Sequence, residues 1–213
     1  FCLSRLALGT CFPMMWNDKV IPAGLMEMGV APEDAFNYIA VGCNELAVPG
    51  QFYFNPGAHA NYLGAIRQAM RTPRLDTFES FVAAVGKGLE NSIRQGYENE
   101  MKVLKAQMEY GQTPLTSCFF EGCIERGQDM ILGTKYNMLT CGGVFFANAV
   151  DSLAAIRQVV YEKREATLAE VAAACDANFK GHERLRARLL AAPKHGNDDP
   201  RLDDIIRTVE RLR

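Results

Sequence analysis

The 213 residues suffice for one domain with a real core, and 48% hydrophobic and 23% charged residues are ordinary for a soluble globular chain. A net charge of −2, from 23 basic and 25 acidic residues, offers no basic field to draw in nucleic acid. No apolar run approaches a membrane span, and the seven cysteines form neither CxxC pairs nor a Cys/His zinc spacing, so a reducing, cytoplasmic compartment is expected and no metal site.

The chain opens on Phe1 without an initiator Met or a signal-peptide pattern, and its true start is expected to be missing. Leu3 to Phe12 is apolar and rich in small residues, a strand or the tail of a helix. Asp18 is placed to cap a helix from about Lys19 to Met28, with Pro22 in its first turn and Gly29 at its end. Pro32-Glu33-Asp34-Ala35 reads as a helical turn leading into a short buried strand, Tyr38 to Val41.

After an aromatic, turn-rich stretch from Gln51 to Ala58, the pattern predicts a helix over Ala60–Met70. A long helix runs from a Thr77 cap to about Tyr110, with Phe78, Phe81, Val82, Val85 and Leu89 as its apolar stripe. A helix from Thr113-Pro114 to about Arg126 follows, stopped by Gly127. Ile131 to Thr140 reads as a loop with a strand, and Cys141 to Val144 as a tight glycine turn. Helices are predicted over Phe146–Glu162, over Thr167–Phe179 with Glu170 completing a capping box, over Glu183–Leu190 and over Arg201–Arg213. No repeat or low-complexity tract is present.

Chemistry concentrates at Gly42-Cys43-Asn44-Glu45. Gly42 permits a turn at the strand end, and Cys43 and Glu45 then stand on a loop where catalytic residues are disproportionately found. Residues two apart in extended chain face one way, so thiol and carboxylate share a cavity. A carboxylate raises a neighbouring thiol pKa and opposes a thiolate nucleophile. It does not oppose a neutral thiyl radical, and it can carry a substrate proton. His59 follows closely, but no third member or oxyanion pattern accompanies a Cys–His pair. The alternatives for each residue are bland ones: Cys43 as a small buried hydrophobe, Glu45 as a structural acceptor, His59 as a local structural residue, and Tyr136 and Asn137 as residues pinning a turn.

Gly42-Cys43-Asn44-Glu45 resembles the Gly-Cys-x-Glu loop of the glycyl radical enzymes, the pyruvate formate-lyase-like superfamily. The resemblance extends in order through Asn17 to Pro22, the run Gly29 to Cys43, Cys123 to Gly127, Lys135-Tyr136-Asn137, Gly143-Val144, Ala147-Asn148, Asp151 to Ile156 and Pro193 to Asp199. It implies an α/β fold, a helix-rich fragment of a ten-stranded β/α barrel with the Cys43 loop at its centre. Residues 1–213 are then a partial pyruvate formate-lyase-like (PFL) catalytic domain, lacking the N-terminal part and the C-terminal glycyl radical domain.

In the family scheme Cys43 becomes a thiyl radical that abstracts a substrate hydrogen and Glu45 is general acid/base, with His59, Tyr136 and Asn137 as substrate-binding candidates. The implied reaction is that of an anaerobic radical lyase, dehydratase or decarboxylase acting on a small molecule. No cofactor is expected to be bound, only a glycyl radical outside these residues, installed by an S-adenosylmethionine iron–sulfur activase. A homodimer is implied at full length, and the fragment alone is expected to be inactive. Pyruvate formate-lyase proper carries two adjacent cysteines, which Asn44 contradicts. Asn44, Leu46 and the lack of Asp between Glu45 and Arg74 depart from the diol-dehydratase pattern. The competing expectation is a non-catalytic helical interaction module or a degenerate remnant of such an enzyme.

Overall fold

The structure, a computed structural model, describes residues 2–9, 15–42, 45–52, 57–138 and 141–212. In chain order it forms α1 (Cys2–Leu6), α2 (Ile21–Glu27), α3 (Pro32–Ala35), β1 (Ile39–Val41), β2 (Glu45–Ala47), β3 (His59–Asn61), α4 (Tyr62–Ala69) and α5 (Phe78–Tyr110). There follow α6 (Pro114–Ser117), α7 (Cys123–Arg126), α8 (Met130–Gly133), β4 (Gly142–Val144), α9 (Phe146–Ile156) with a π-helical extension Arg157–Glu162, α10 (Leu168–Asp176), α11 (Glu183–Leu190), a 3-10 turn Pro200–Leu202, and α12 (Asp203–Arg211). The chain divides into two compact units, residues 1–55 with 104–139 and residues 56–103 with 140–213.

In the first unit, α2 starts at Ile21 with Val20 as its cap and Pro22 in its first turn, where a missing N–H costs nothing. Asp18 does not cap it as expected, because its carboxylate accepts the Tyr38 hydroxyl. β1 and β2 form an antiparallel hairpin with Ile39 opposite Ala47 and Val41 opposite Glu45. The strand before the cysteine was expected to be buried. Its pattern is exposed at Ile39 and Ala40, because among the described residues β1 is paired with β2 alone.

Leu25, Val30, Ala35, Ala47, Val48 and Phe52 make this unit's core, with Tyr38, Val41 and Tyr136 packed against it. The single helix expected over Thr113–Arg126 is two short ones. Gly122 separates them at φ 94°, a left-handed turn no helix continues through. Of the loop and strand expected over Ile131 to Thr140, the described residues up to 138 show most of α8 and one parallel bridge, Tyr136 to Phe52, while 139 and 140 lie outside the described residues.

In the second unit, β3 and β4 pair in parallel, His59 opposite Gly142 and Asn61 opposite Val144. Both strands correct the sequence reading, which had a helix starting at Ala60 and a glycine turn at Cys141 to Val144. The Asn61 side chain accepts the Gly64 N–H and so ends the strand and caps α4 at one residue. The glycines of β4 let rings lie close. A Cβ on Gly143 would stand 3.3 Å from the Tyr62 ring.

α5 begins as expected, with Thr77 Oγ1 accepting the Ser80 N–H at 3.1 Å, and it buries Phe81, Val85 and Leu89. These meet Tyr62, Ile66, Val150, Leu153, Val159, Leu202, Ile205 and Val209 in the larger core. The capping box of Thr167 and Glu170 starts α10 as the sequence reading had it. The helix expected over Phe146–Glu162 forms throughout, but its last residues are π-helical. Among the described residues no helix is long and apolar enough to cross a membrane.

Candidate active site

The site is a hairpin turn. Val41 and Glu45 face each other as the last paired residue of β1 and the first of β2. Gly42 takes φ +59°, a left-handed conformation that costs side-chain-bearing residues about 1 kcal/mol or more. The Glu45 side chain turns back over it. A Cβ on Gly42 would lie 2.6 Å from Glu45 Oε2. Glu45 was expected on the loop itself, but it is the first residue of β2, because it pairs with Val41. Cys43 lies outside the described residues, and so does its expected shared cavity with Glu45. The carboxylate is therefore fixed at its base by a strand and held against the residue preceding the cysteine.

Behind the hairpin lies a polar cluster that sequence reasoning missed. Asp34, in α3, accepts the Tyr136 hydroxyl at 2.6 Å and pairs with Lys135 Nζ at 2.9 Å. Lys135 Nζ also reaches Glu121 Oε1 at 3.2 Å, and Gln51 Nε2 donates to Glu121 Oε2 at 2.9 Å. The Asp34 carboxyl is held below its ordinary value, first by the Tyr136 hydroxyl and then by Lys135. Lys135 is pushed up by its bonds to Asp34 and Glu121, and the Tyr136 hydroxyl by its bond to Asp34. The sequence signal for Asp34 was only an acid in a short helical turn, and nothing local announces a partner so far along the chain.

Of the three proposed substrate contacts, Tyr136 and Asn137 belong to the first unit and His59 to the second. Tyr136 donates its hydroxyl to Asp34 and accepts the Ala31 N–H at 3.1 Å. Asn137 Nδ2 donates to the carbonyls of Leu132 and Thr134, and its Oδ1 accepts the Thr134 hydroxyl at 2.8 Å, which pins a turn. His59 belongs to the second unit, is exposed at the start of β3, and faces Gly142, where a Cβ would lie 3.6 Å from its ring. Among the described residues no group of three or more His, Cys, Asp or Glu could hold a metal ion.

A hairpin carrying Gly-Cys-Asn-Glu in a helix-rich α/β chain defines a class. The family model described as pyruvate formate lyase-like matches residues 1–211, and the chain belongs to that family, the glycyl radical enzymes. It is 30% identical to a (2S)-3-sulfopropanediol dehydratase of Klebsiella oxytoca, over 92% of this chain and 26% of that protein. It is 27% identical to an isethionate sulfite-lyase of Desulfovibrio desulfuricans, over 96% of this chain and 27% of that one. The fold matches the glycerol-bound form of the B12-independent glycerol dehydratase from Clostridium butyricum with a TM-score of 0.85 and 26% identity, over 99% of this chain and 29% of that chain. The chain thus has the fold of a helix-rich fragment of the glycyl radical enzyme barrel, and it spans 26 to 27% of the length of those two curated relatives.

Proposed function

We propose that this chain is the segment of a glycyl radical lyase or dehydratase that carries the reactive thiol. Cys43 gives its S–H hydrogen atom to a radical on a glycine outside these residues, and the resulting thiyl radical takes a hydrogen atom from a small-molecule substrate. Glu45 accepts or returns a substrate proton. The observation that carries this reading is the Glu45 carboxylate folded over Gly42, beside the cysteine in sequence and anchored by the β1–β2 pairing. A general base needs a fixed position near its substrate, and a carboxylate anchored on a strand beside the cysteine in sequence supports that role.

The reaction class follows from the company the chain keeps. The related proteins are named as a dehydratase and a sulfite-lyase, which supports a lyase or dehydratase reaction here. The absence of Asp between Glu45 and Arg74 favours a lyase other than a diol dehydratase. His59 is the remaining candidate for substrate contact, since the polar groups of Tyr136 and Asn137 are engaged within the protein. A separate radical S-adenosylmethionine activase is the partner this chemistry requires.

The test compares Cys43→Ser and Glu45→Gln in the complete activated protein, offered deuterium-labelled isethionate, glycerol and trans-4-hydroxy-L-proline. A serine O–H is too strong a bond to yield its hydrogen, so Cys43→Ser is expected to keep the glycyl radical signal yet show neither deuterium exchange nor product. Glu45→Gln is expected to retain exchange and lose about 10²- to 10⁴-fold in product formation. Near-normal turnover by Cys43→Ser would remove the thiol from the reaction and overturn the proposal.

A further inference from the structure

Both ends of the β1–β2 hairpin are held by the same two consecutive residues. On the incoming side, Asp34 precedes β1, and its carboxylate is bound by the Tyr136 hydroxyl and by Lys135. Tyr136 also takes the Ala31 N–H. On the outgoing side, the Gln51 carbonyl accepts the Tyr136 N–H at 3.0 Å, and the Gly50 carbonyl accepts the Glu121 N–H at 2.7 Å. Lys135 then closes the set by reaching Glu121, whose other carboxylate oxygen holds the Gln51 amide.

The electrostatics make Lys135 the keystone. It is the one cation in this set and faces two carboxylates, Asp34 with a side chain 12% exposed and Glu121 52% exposed. Charge-assisted bonds are the strong ones, and removing one partner leaves a poorly solvated charge behind. Without the ammonium, Asp34 and Glu121 have lost their shared counter-charge, and the chain on either side of the hairpin has lost its charged tie. Tyr136 would then be the one residue of this set still bonded to both sides, through its hydroxyl to Asp34 and Ala31 and through its N–H to Gln51.

We infer that Lys135 and Tyr136 form a clamp that fixes the β1–β2 hairpin from both sides, which makes Lys135 a positioning residue for Cys43 and Glu45. The positioning role rests on the function assigned to those two residues above. The clamp itself is independent of it, so the two are tested by different readouts. The distinction matters because a reacting group displaced by about 1 Å costs on the order of 10²-fold in rate.

The experiment uses the full protein and needs no turnover. Amide hydrogen exchange is read peptide by peptide over the hairpin and over α9 as an internal reference, and the rate of Cys43 alkylation by iodoacetamide is read by mass spectrometry. Lys135→Met is expected to speed exchange across Ile39–Ala47 about tenfold and Cys43 alkylation several-fold, with α9 unchanged, while Lys135→Arg restores most of both. Glu121→Gln keeps size and the bond to Gln51, removes one charge contact, and is expected to give a smaller increase confined to the hairpin. That variant carries the test should Lys135→Met fail to fold. An unchanged hairpin in either variant, an increase spread equally to α9, or no recovery in Lys135→Arg would overturn the clamp. Loss of the Cys43 and Glu45 assignments in the turnover experiment would leave these exchange results standing and would overturn only the positioning role.

Discussion

The carboxylate of Glu45 lies against the backbone of Gly42, so close that a methyl group on Gly42 would stand 2.6 Å from Oε2. The glycine is thus required twice, once for its φ of +59° and once for the room it leaves. Gly42→Ala is expected to cost about 1 kcal/mol in stability from the left-handed backbone. The contacted atom ends a flexible side chain, so it swings aside cheaply and the larger effect falls on turnover. A variant that loses activity while its denaturant midpoint shifts only slightly meets this expectation. An alanine variant with unchanged turnover would show that the carboxylate's seat over residue 42 is irrelevant.

Acid should release the Asp34 end of the cluster. Its carboxyl is held below the ordinary 3.8 in the folded chain, by Tyr136 first and Lys135 next. A depressed folded value means the contribution to stability is present above the unfolded value and is lost as pH falls through the folded one. The loss therefore belongs below about pH 4. Asp129, Asp176 and Asp199 are also depressed and add to the same acid limb. The discriminating measurement is a comparison of slopes. Asp34→Asn should be less stable than the parent at pH 6, and the gap should narrow as the pH falls below about 4. Parallel curves over that range would remove Asp34 from the acid response.

The Tyr62 hydroxyl is fully buried and has no hydrogen-bond partner among the described residues, while its ring packs edge-on to Phe146 with centroids 6.3 Å apart. An unsatisfied buried polar group costs about 1–3 kcal/mol, and removing it leaves the packing intact. Tyr62→Phe is therefore expected to stabilise the protein by about 1 kcal/mol in chemical denaturation. A clear destabilisation would mean that the hydroxyl is bonded.

Leu153 is wholly buried in α9, within the larger core. Leu153→Ala is expected to cost about 2–5 kcal/mol, the sum of lost transfer energy and an incompletely collapsed cavity. The check is a shift of the denaturant midpoint at constant slope. A cost under about 1 kcal/mol would indicate that α9 is free to repack.

What the sequence disclosed follows the range of the forces involved. Thr167 with Glu170, and Phe81, Val85 and Leu89 on α5, are local patterns, and the structure realises both as read. The family motif located the hairpin because Gly42, Cys43 and Glu45 are neighbours in sequence. Glu45 was misplaced by one structural step, since whether a residue ends a loop or starts a strand depends on its cross-strand partner, here Val41. β4 was hidden because glycines carry no strand propensity, and what makes Gly142 and Gly143 a strand is a partner at His59 and Ala60. The Asp34–Lys135 pair was illegible for the same reason, as neither residue has a local pattern that implies the other.

The clamp also imposes an order on biosynthesis. The hairpin leaves the ribosome well before the residues that grip it, and the roughly 90 residues from Ala47 to Lys135 take on the order of 4 to 18 s to make. Through that interval β1 and β2 have only each other, a two-stranded ribbon that is marginal at best without further support. The first unit is not a continuous stretch of chain, so its residues 104–139 are made only after residues 56–103 of the second. A cell that makes this protein therefore carries an unclamped hairpin through every round of translation.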